Sequence, residues 1–150
     1  MVEIVLLVAF AAALLIIRAT TRRWNFALSG RIAMCAMLCF TALGHVMFPQ
    51  GMAMMIPPFI PFKVELVYLT GLLEVAGGIG LLIPKFRKLS AILLIIFFVL
   101  ITPANIYAAI HHIDLQKASY DGPGPAYLWF RLPLQLFFIA WVWYFGLRKP

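Results

Sequence analysis

Five apolar runs, each close to the length that crosses a bilayer as a helix, decide what this chain can become. They cover roughly Val2–Ala19, Ile32–Phe48, Val64–Pro84, Leu89–Ile110 and Tyr127–Leu147. A helix rises about 1.5 Å per residue, so roughly 20 residues cross about 30 Å of hydrocarbon. The runs are continuously apolar, without period-two alternation, which indicates helices rather than the strands of a barrel. Of the 150 residues, 65% are hydrophobic and 11% charged, against about 25% charged in an average soluble domain. Two cysteines leave no room for a disulfide-rich scaffold. The first run carries Glu3 where a leader would be basic and ends in arginines where a cleavage site would have small residues, so it is expected to stay as a span.

The net charge of +7 would suggest nucleic acid in a soluble protein. Here the basic residues stand in short clusters between apolar runs, which is how a membrane protein sets its orientation. Arg18, Arg22, Arg23, Arg31, Lys85, Arg87, Lys88, Arg148 and Lys149 fall on one side if five spans alternate, and Lys63, Lys117 and Arg131 on the other. Nine against three predicts an outer N-terminus and a cytoplasmic C-terminus, in a membrane of the bacterial inner type. If the first run did not span, the other four would keep their orientation. Both long connections, Pro49–Lys63 and His111–Ala126, then lie outside. The first is polar only at Gln50 and Lys63 and is expected to lie in the interface or fold back over the bundle.

Polar groups inside a bilayer are costly, so they carry the information. They are His45, Glu65, Thr70, Glu74, Asn105, Arg131 and Gln135. Glu74 is nine residues beyond Glu65, about 13 Å deeper and on the opposite face. Thr70, Gly71, Gly77 and Gly78 share its face, and small residues let a neighbouring helix approach, so Glu74 is expected to point inward. Glu65 either pairs or snorkels to the headgroups. Arg131, near a helix N-terminus, needs a carboxylate, and the sharp expectation is an Arg131–Glu74 pair, direct or through Asn105 and Gln135; the bland one is an interfacial arginine on phosphates. Asn105 and Gln135 read by themselves as interhelical hydrogen-bond groups. Pro133 is expected in the first turn of its helix. Pro103 frees the carbonyl of Val99, four residues back, and predicts a kink. Together His45, Glu74, Asn105, Arg131 and Gln135 form a candidate polar cluster, for a ligand or for structure, between the midplane and the outer surface.

Other residues carry weaker chemistry. Cys35 and Cys39 are four apart and lie toward the inner side, which suits small apolar residues and not a redox pair. His45, Met47, Met52, Met54 and Met55 are soft ligands that would suit Cu(I), although methionine also fills irregular gaps. His111 and His112 are adjacent, about 100° apart on a helix, and do not share one haem.

At these positions the sequence resembles the DoxX family of small integral membrane proteins, over about Arg31 to Gly146. The likeness rests on Ala42-Leu43-Gly44-His45, on Ile56-Pro57-Pro58 to Pro61, and on Gly71-Leu72-Leu73-Glu74 with Gly77-Gly78. It continues in Leu81-Leu82-Ile83-Pro84, Pro103-Ala104-Asn105-Ile106-Tyr107 and Arg131-Leu132-Pro133-Leu134-Gln135. The resemblance implies an all-α polytopic protein: a four-helix transmembrane bundle over 31–147, plus an additional N-terminal transmembrane helix over 1–20. It further implies an accessory subunit or assembly factor of a membrane redox complex, with no fixed catalytic residues.

The chain holds no catalytic motif, so the reading leans away from an enzyme. The alternative is a small-molecule site of its own, for a quinone or another amphipathic ligand, with Trp129, Phe130, Trp141 and Trp143 lining it or standing in interfacial belts. A transporter would call for broken-helix repeats, which the five spans lack. The expected partners are the lipid bilayer and a larger membrane complex or further copies of the chain, with no nucleic acid.

Overall fold

The computed structural model describes residues 1–149. Its principal elements are six α-helices: α1 (Val2–Thr21), α2 (Phe26–Met47), α3 (Pro49–Met54), α4 (Lys63–Leu82), α5 (Arg87–Ile110) and α6 (Leu128–Val142). A 3₁₀ turn, Pro125–Tyr127, leads into α6, and a π-helical stretch, Trp143–Arg148, continues it. No strand occurs among the described residues, only an isolated bridge between Asp114 and Ser119. Five helical segments are long and apolar enough to cross a membrane: α1, α2, α4, α5 and the stretch Pro125–Arg148. The all-α fold, a membrane bundle with an extra N-terminal helix, is as expected, and the chain is an integral membrane protein.

Local chemistry sets the helix ends. Asn25 caps α2, its side chain accepting from Leu28 N–H at 3.0 Å. The helix thus starts before the apolar run does. Ser29 and Arg31, expected in a connection, lie inside it and are buried. Ser29 Oγ donates to the Asn25 carbonyl at 2.7 Å and Arg31 Nε to the Ala27 carbonyl at 3.1 Å, each four residues back in the chain. The helix α4 stops at Ile83, before Pro84. In α5 the helix runs on through Pro103, which faces outward with Val99. Pro133 falls in the sixth position of α6, one turn deeper than expected, and also faces outward.

The helix α2 is the hub, packing along α1 and α4 and against the π-helical end of the chain; α4 packs on α5, and α5 on α6. From α2 to α6, the apolar core lies in the half nearer the basic clusters: Ala33, Met34, Met37, Leu38, Leu81, Ala91, Leu94, Phe98, Phe138 and Val142. Leu6, fully buried, fixes α1 to this bundle. Trp141 locks the same region, packing edge-on to Phe10 at 5.3 Å and donating its indole N–H to the Gly30 carbonyl at 2.9 Å. The opposite end is covered by α3, where Gly51 and Ala53 are buried, and by the 111–126 connection, where Ile113 is buried. The two connections touch at Gly51, where a Cβ would overlap the Leu115 carbonyl. The Pro49–Lys63 segment therefore folds back over the bundle.

A buried glutamate–histidine pair under the capped end

Glutamate on a membrane helix must find partners in the protein, and Glu74 does so on α2. It is 6% exposed, so it points inward as its glycine-rich face predicts. Gly71 and Gly78 of that face do receive α2: a Cβ at Gly78 would sit 3.2 Å from Cys35 Cα, and one at Gly71 would sit 2.9 Å from His45 Cβ. Gly77 turns the other way and admits Leu94 of α5.

The partners of Glu74 are Thr41 and His45. Thr41 Oγ1 lies 2.9 Å from both Glu74 Oε2 and the Leu38 carbonyl. His45 Nε2 lies 3.4 Å from Glu74 Oε2. The sequence places His45 near the end of α2 and Glu74 near mid-helix, an apparent mismatch in depth. Side chains lean toward the N-terminus of their own helix, and α2 and α4 run in opposite directions, so the two lean toward each other.

The far side of the imidazole fixes its tautomer. His45 Nδ1 is 2.7 Å from the Val67 carbonyl and 3.2 Å from Thr70 Oγ1, while Thr70 donates to that same carbonyl at 2.9 Å. A carbonyl only accepts, so Nδ1 carries a hydrogen. Nε2, the other ring nitrogen, faces Glu74 Oε2, so the pair makes a buried polar contact between α2 and α4. Beside it, Ala42, His45, Val46, Tyr68, Gly71, Leu72 and Val75 line an open, mostly apolar groove of about 260 Å³.

The direct form of the expected Arg131–Glu74 ion pair is not formed. Among the described residues no carboxylate lies within 4 Å of Arg131; Glu3 and Glu74 act on it only through their fields. The reason is helix order: α6 packs on α5, whereas the neighbours of α4 are α2, α3 and α5. Gln135, 3% exposed, donates from Nε2 to the Phe98 carbonyl at 2.7 Å, the residue before the carbonyl expected to be freed at Val99. The Asn105 Nδ2 and Gln135 Oε1 atoms are buried without hydrogen-bond partners among the described residues. Glu65 is exposed.

The other expected constellations come apart. Both ring nitrogens of His45 are engaged by protein, Met47 is 66% exposed, and no group of three His, Cys, Asp or Glu residues suited to a metal occurs among the described residues. Trp141 is internal packing, Trp143 stands over Arg148 at the basic end and Trp129 is 87% exposed, so the aromatic residues line no common site. Thr41 is the partner of Glu74 that the sequence reading missed. It stands four residues before His45, on the same face, a spacing that marks it.

The fold and site thus define a polytopic helical membrane protein with a buried Glu–His pair between two close-packed spans. The model of a family described as Domain of unknown function (DUF8561) matches residues 34–146, and the chain belongs to that family. Neither curated proteins nor solved structures give a match. The matched part takes in the site and leaves α1 outside.

Proposed function

We propose that the chain is an accessory membrane protein that holds a quinone-like amphipathic ligand in the groove between α2 and α4, beside a membrane redox complex. The observation that carries this reading is the His45–Glu74 pair bordering an apolar groove. A flat apolar ring suits such a place: the apolar walls take the ring, and the His45–Glu74 pair is the polar feature at its edge. The pair supplies no electrons, so oxidation and reduction belong to a partner, in keeping with the DoxX-like motifs. The basic clusters support an outer N-terminus and a cytoplasmic C-terminus in a bacterial inner membrane.

The test is to purify the full chain from its native membrane in mild detergent and extract bound small molecules for mass spectrometry. Quinone or a chemical relative should copurify at a fixed ratio and fall at least tenfold in His45→Leu and Glu74→Leu, with Glu65→Gln unchanged. Equal content in all four proteins would reject the reading.

A second reading, attachment to a larger complex, is favoured by α1. That helix lies outside the family match and is the least buried of the five spans, with Ile4, Leu7, Val8, Leu15 and Ile16 all more than half exposed. Loss of a copurifying membrane complex on replacing Leu7, Val8, Leu15 and Ile16 by alanine would support it; an unchanged set of partners would reject it.

A further inference from the structure

The seam between α5 and α6 holds one hydrogen-bond donor and one acceptor that the protein leaves unmatched. On α5, Phe98, Thr102 and Asn105 are spaced i, i+4 and i+7 and share a face; on α6, Arg131, Gln135 and Phe138 repeat that spacing. The two faces meet. The Phe98 and Phe138 rings are 6.0 Å apart, and the Phe98 carbonyl accepts from Gln135 Nε2 at 2.7 Å and from Thr102 Oγ1 at 2.9 Å. A helical carbonyl points at the N–H four residues on, so the Gln135 amide is held at the level of Thr102. Gln135 is 3% exposed, and its Oε1 atom is buried with no donor among the described residues. Asn105 stands three residues beyond Thr102, about 4.5 Å farther toward the capped end. Its Nδ2 atom is buried with no acceptor among the described residues. Side chains lean toward the N-terminus of their own helix, so the Asn105 amide bends back toward Thr102 and Gln135.

Buried polar groups in folded proteins are bonded to protein or to ordered water. The chemistry of the two orphan atoms selects their occupant. It must accept from Asn105 Nδ2 and donate to Gln135 Oε1. An anion has nothing to donate to Oε1, a metal ion accepts no hydrogen bond, and a ketone or quinone oxygen only accepts. A water oxygen does both, and two hydrogen bonds through it span about 5.5 Å, the order of the one-turn step between the two amides. Arg131 adds a reason for water at this level. It stands four residues before Gln135 and has no carboxylate within 4 Å among the described residues; Tyr127, Glu3 and Glu74 act on it through their fields. A guanidinium only donates, so a water oxygen beside it serves a cation that the protein does not pair directly.

We propose that the α5–α6 seam is a binding site for an ordered internal water, which accepts from Asn105 Nδ2 and donates to Gln135 Oε1. The water extends the contact between the two helices one turn beyond the Gln135–Phe98 bond and places a hydrated point inside the bundle, next to Arg131. The site is separate from the groove between α2 and α4, and its failure would leave the ligand reading of that groove untouched.

The experiment is water-edited solid-state NMR on the ¹⁵N-labelled full chain in lipid bilayers, which reads magnetisation passed from water protons to side-chain nitrogens. Gln50, Gln116 and Gln135 are the glutamines and Asn25 and Asn105 the asparagines, so single substitutions assign every amide. In the wild type the Gln135 amide should receive several-fold more water magnetisation than the Trp141 indole, whose N–H is bonded to the Gly30 carbonyl. Asn105→Leu should lower the Gln135 transfer several-fold and leave the exposed Gln50 and Gln116 unchanged. Transfer to Gln135 no greater than to Trp141 in the wild type, the result a direct Asn105–Gln135 hydrogen bond would give, would overturn the site without recourse to any variant. Transfer to Gln135 that survives Asn105→Leu would overturn the position given to the water. Transfer that persists in deuterated water with protonated lipid would overturn water in favour of a lipid group.

Discussion

Replacing His45 and Glu74 by leucine, singly and together, measures the pair directly. The two side chains are 13% and 8% exposed, so neither can turn to water when its partner goes. Glu74→Leu leaves Thr41 the Leu38 carbonyl, at 2.9 Å, but strands His45 Nε2 among apolar groups. His45→Leu leaves the Glu74 carboxyl with Thr41 alone. Each single change orphans a buried polar atom, at about 1–3 kcal/mol, and the double change orphans none, so it should cost less than the sum. The 3.4 Å separation is longer than the about 2.7–2.9 Å of a charge-assisted bond. The coupling should therefore match an ordinary hydrogen bond between spans, about 0.6–1.7 kcal/mol, rather than the about 3–5 kcal/mol lost on breaking a buried ion pair. Reversible unfolding of the full chain in mixed detergent gives the four free energies of the cycle. A second cycle, Arg131→Leu with Glu74→Leu, should be additive within about 0.5 kcal/mol. Additivity between His45 and Glu74, or strong coupling between Arg131 and Glu74, would refute the pairing.

Gly78→Leu should lower unfolding stability by about 1–3 kcal/mol, because the new side chain starts 3.2 Å from the Cys35 Cα and must push α2 away. Gln135→Leu should lose about 0.6–1.7 kcal/mol with its bond to the Phe98 carbonyl, read in the same assay. Cys39→Ala, at an exposed position, should change stability by less than about 0.5 kcal/mol, and the Cys35→Ala/Cys39→Ala double variant should keep its bound ligand. For orientation, cysteines placed at Gln50 and Gly122 should react with an impermeant reagent in intact cells and one at Lys88 should not; labelling at Lys88 alone would reverse the topology.

The spans were legible because their length and apolarity are imposed by the bilayer, and every helix long enough to cross had its run in the sequence. The inward turn of Glu74 was legible because Gly71 and Gly78 leave room for a neighbour on its face. The identity of that neighbour was not. Charge alone nominates Arg131, and nothing in a linear sequence says that α2, and not α6, lies against α4. The hidden first turns of α2 have a similar cause. Polarity at Ser29 and Arg31 reads as a connection, yet both side chains bond to carbonyls four residues back, and only the Asn25 cap signals the true start. The π-helical widening at Trp143–Arg148 left no mark in the hydrophobic pattern.

The contact between Gly51 and the Leu115 carbonyl has a bearing on how the protein is made. Spans α2 and α4 form one hairpin and α5 with α6 another, and each must enter the membrane before the connections above them can meet. The contact is thus a latch that can close only once both hairpins are inserted. A bulky residue at Gly51 would leave insertion and topology normal while holding the latch open. The 111–126 segment would then be cut early by added protease, and a cell would receive a correctly threaded but unlocked protein.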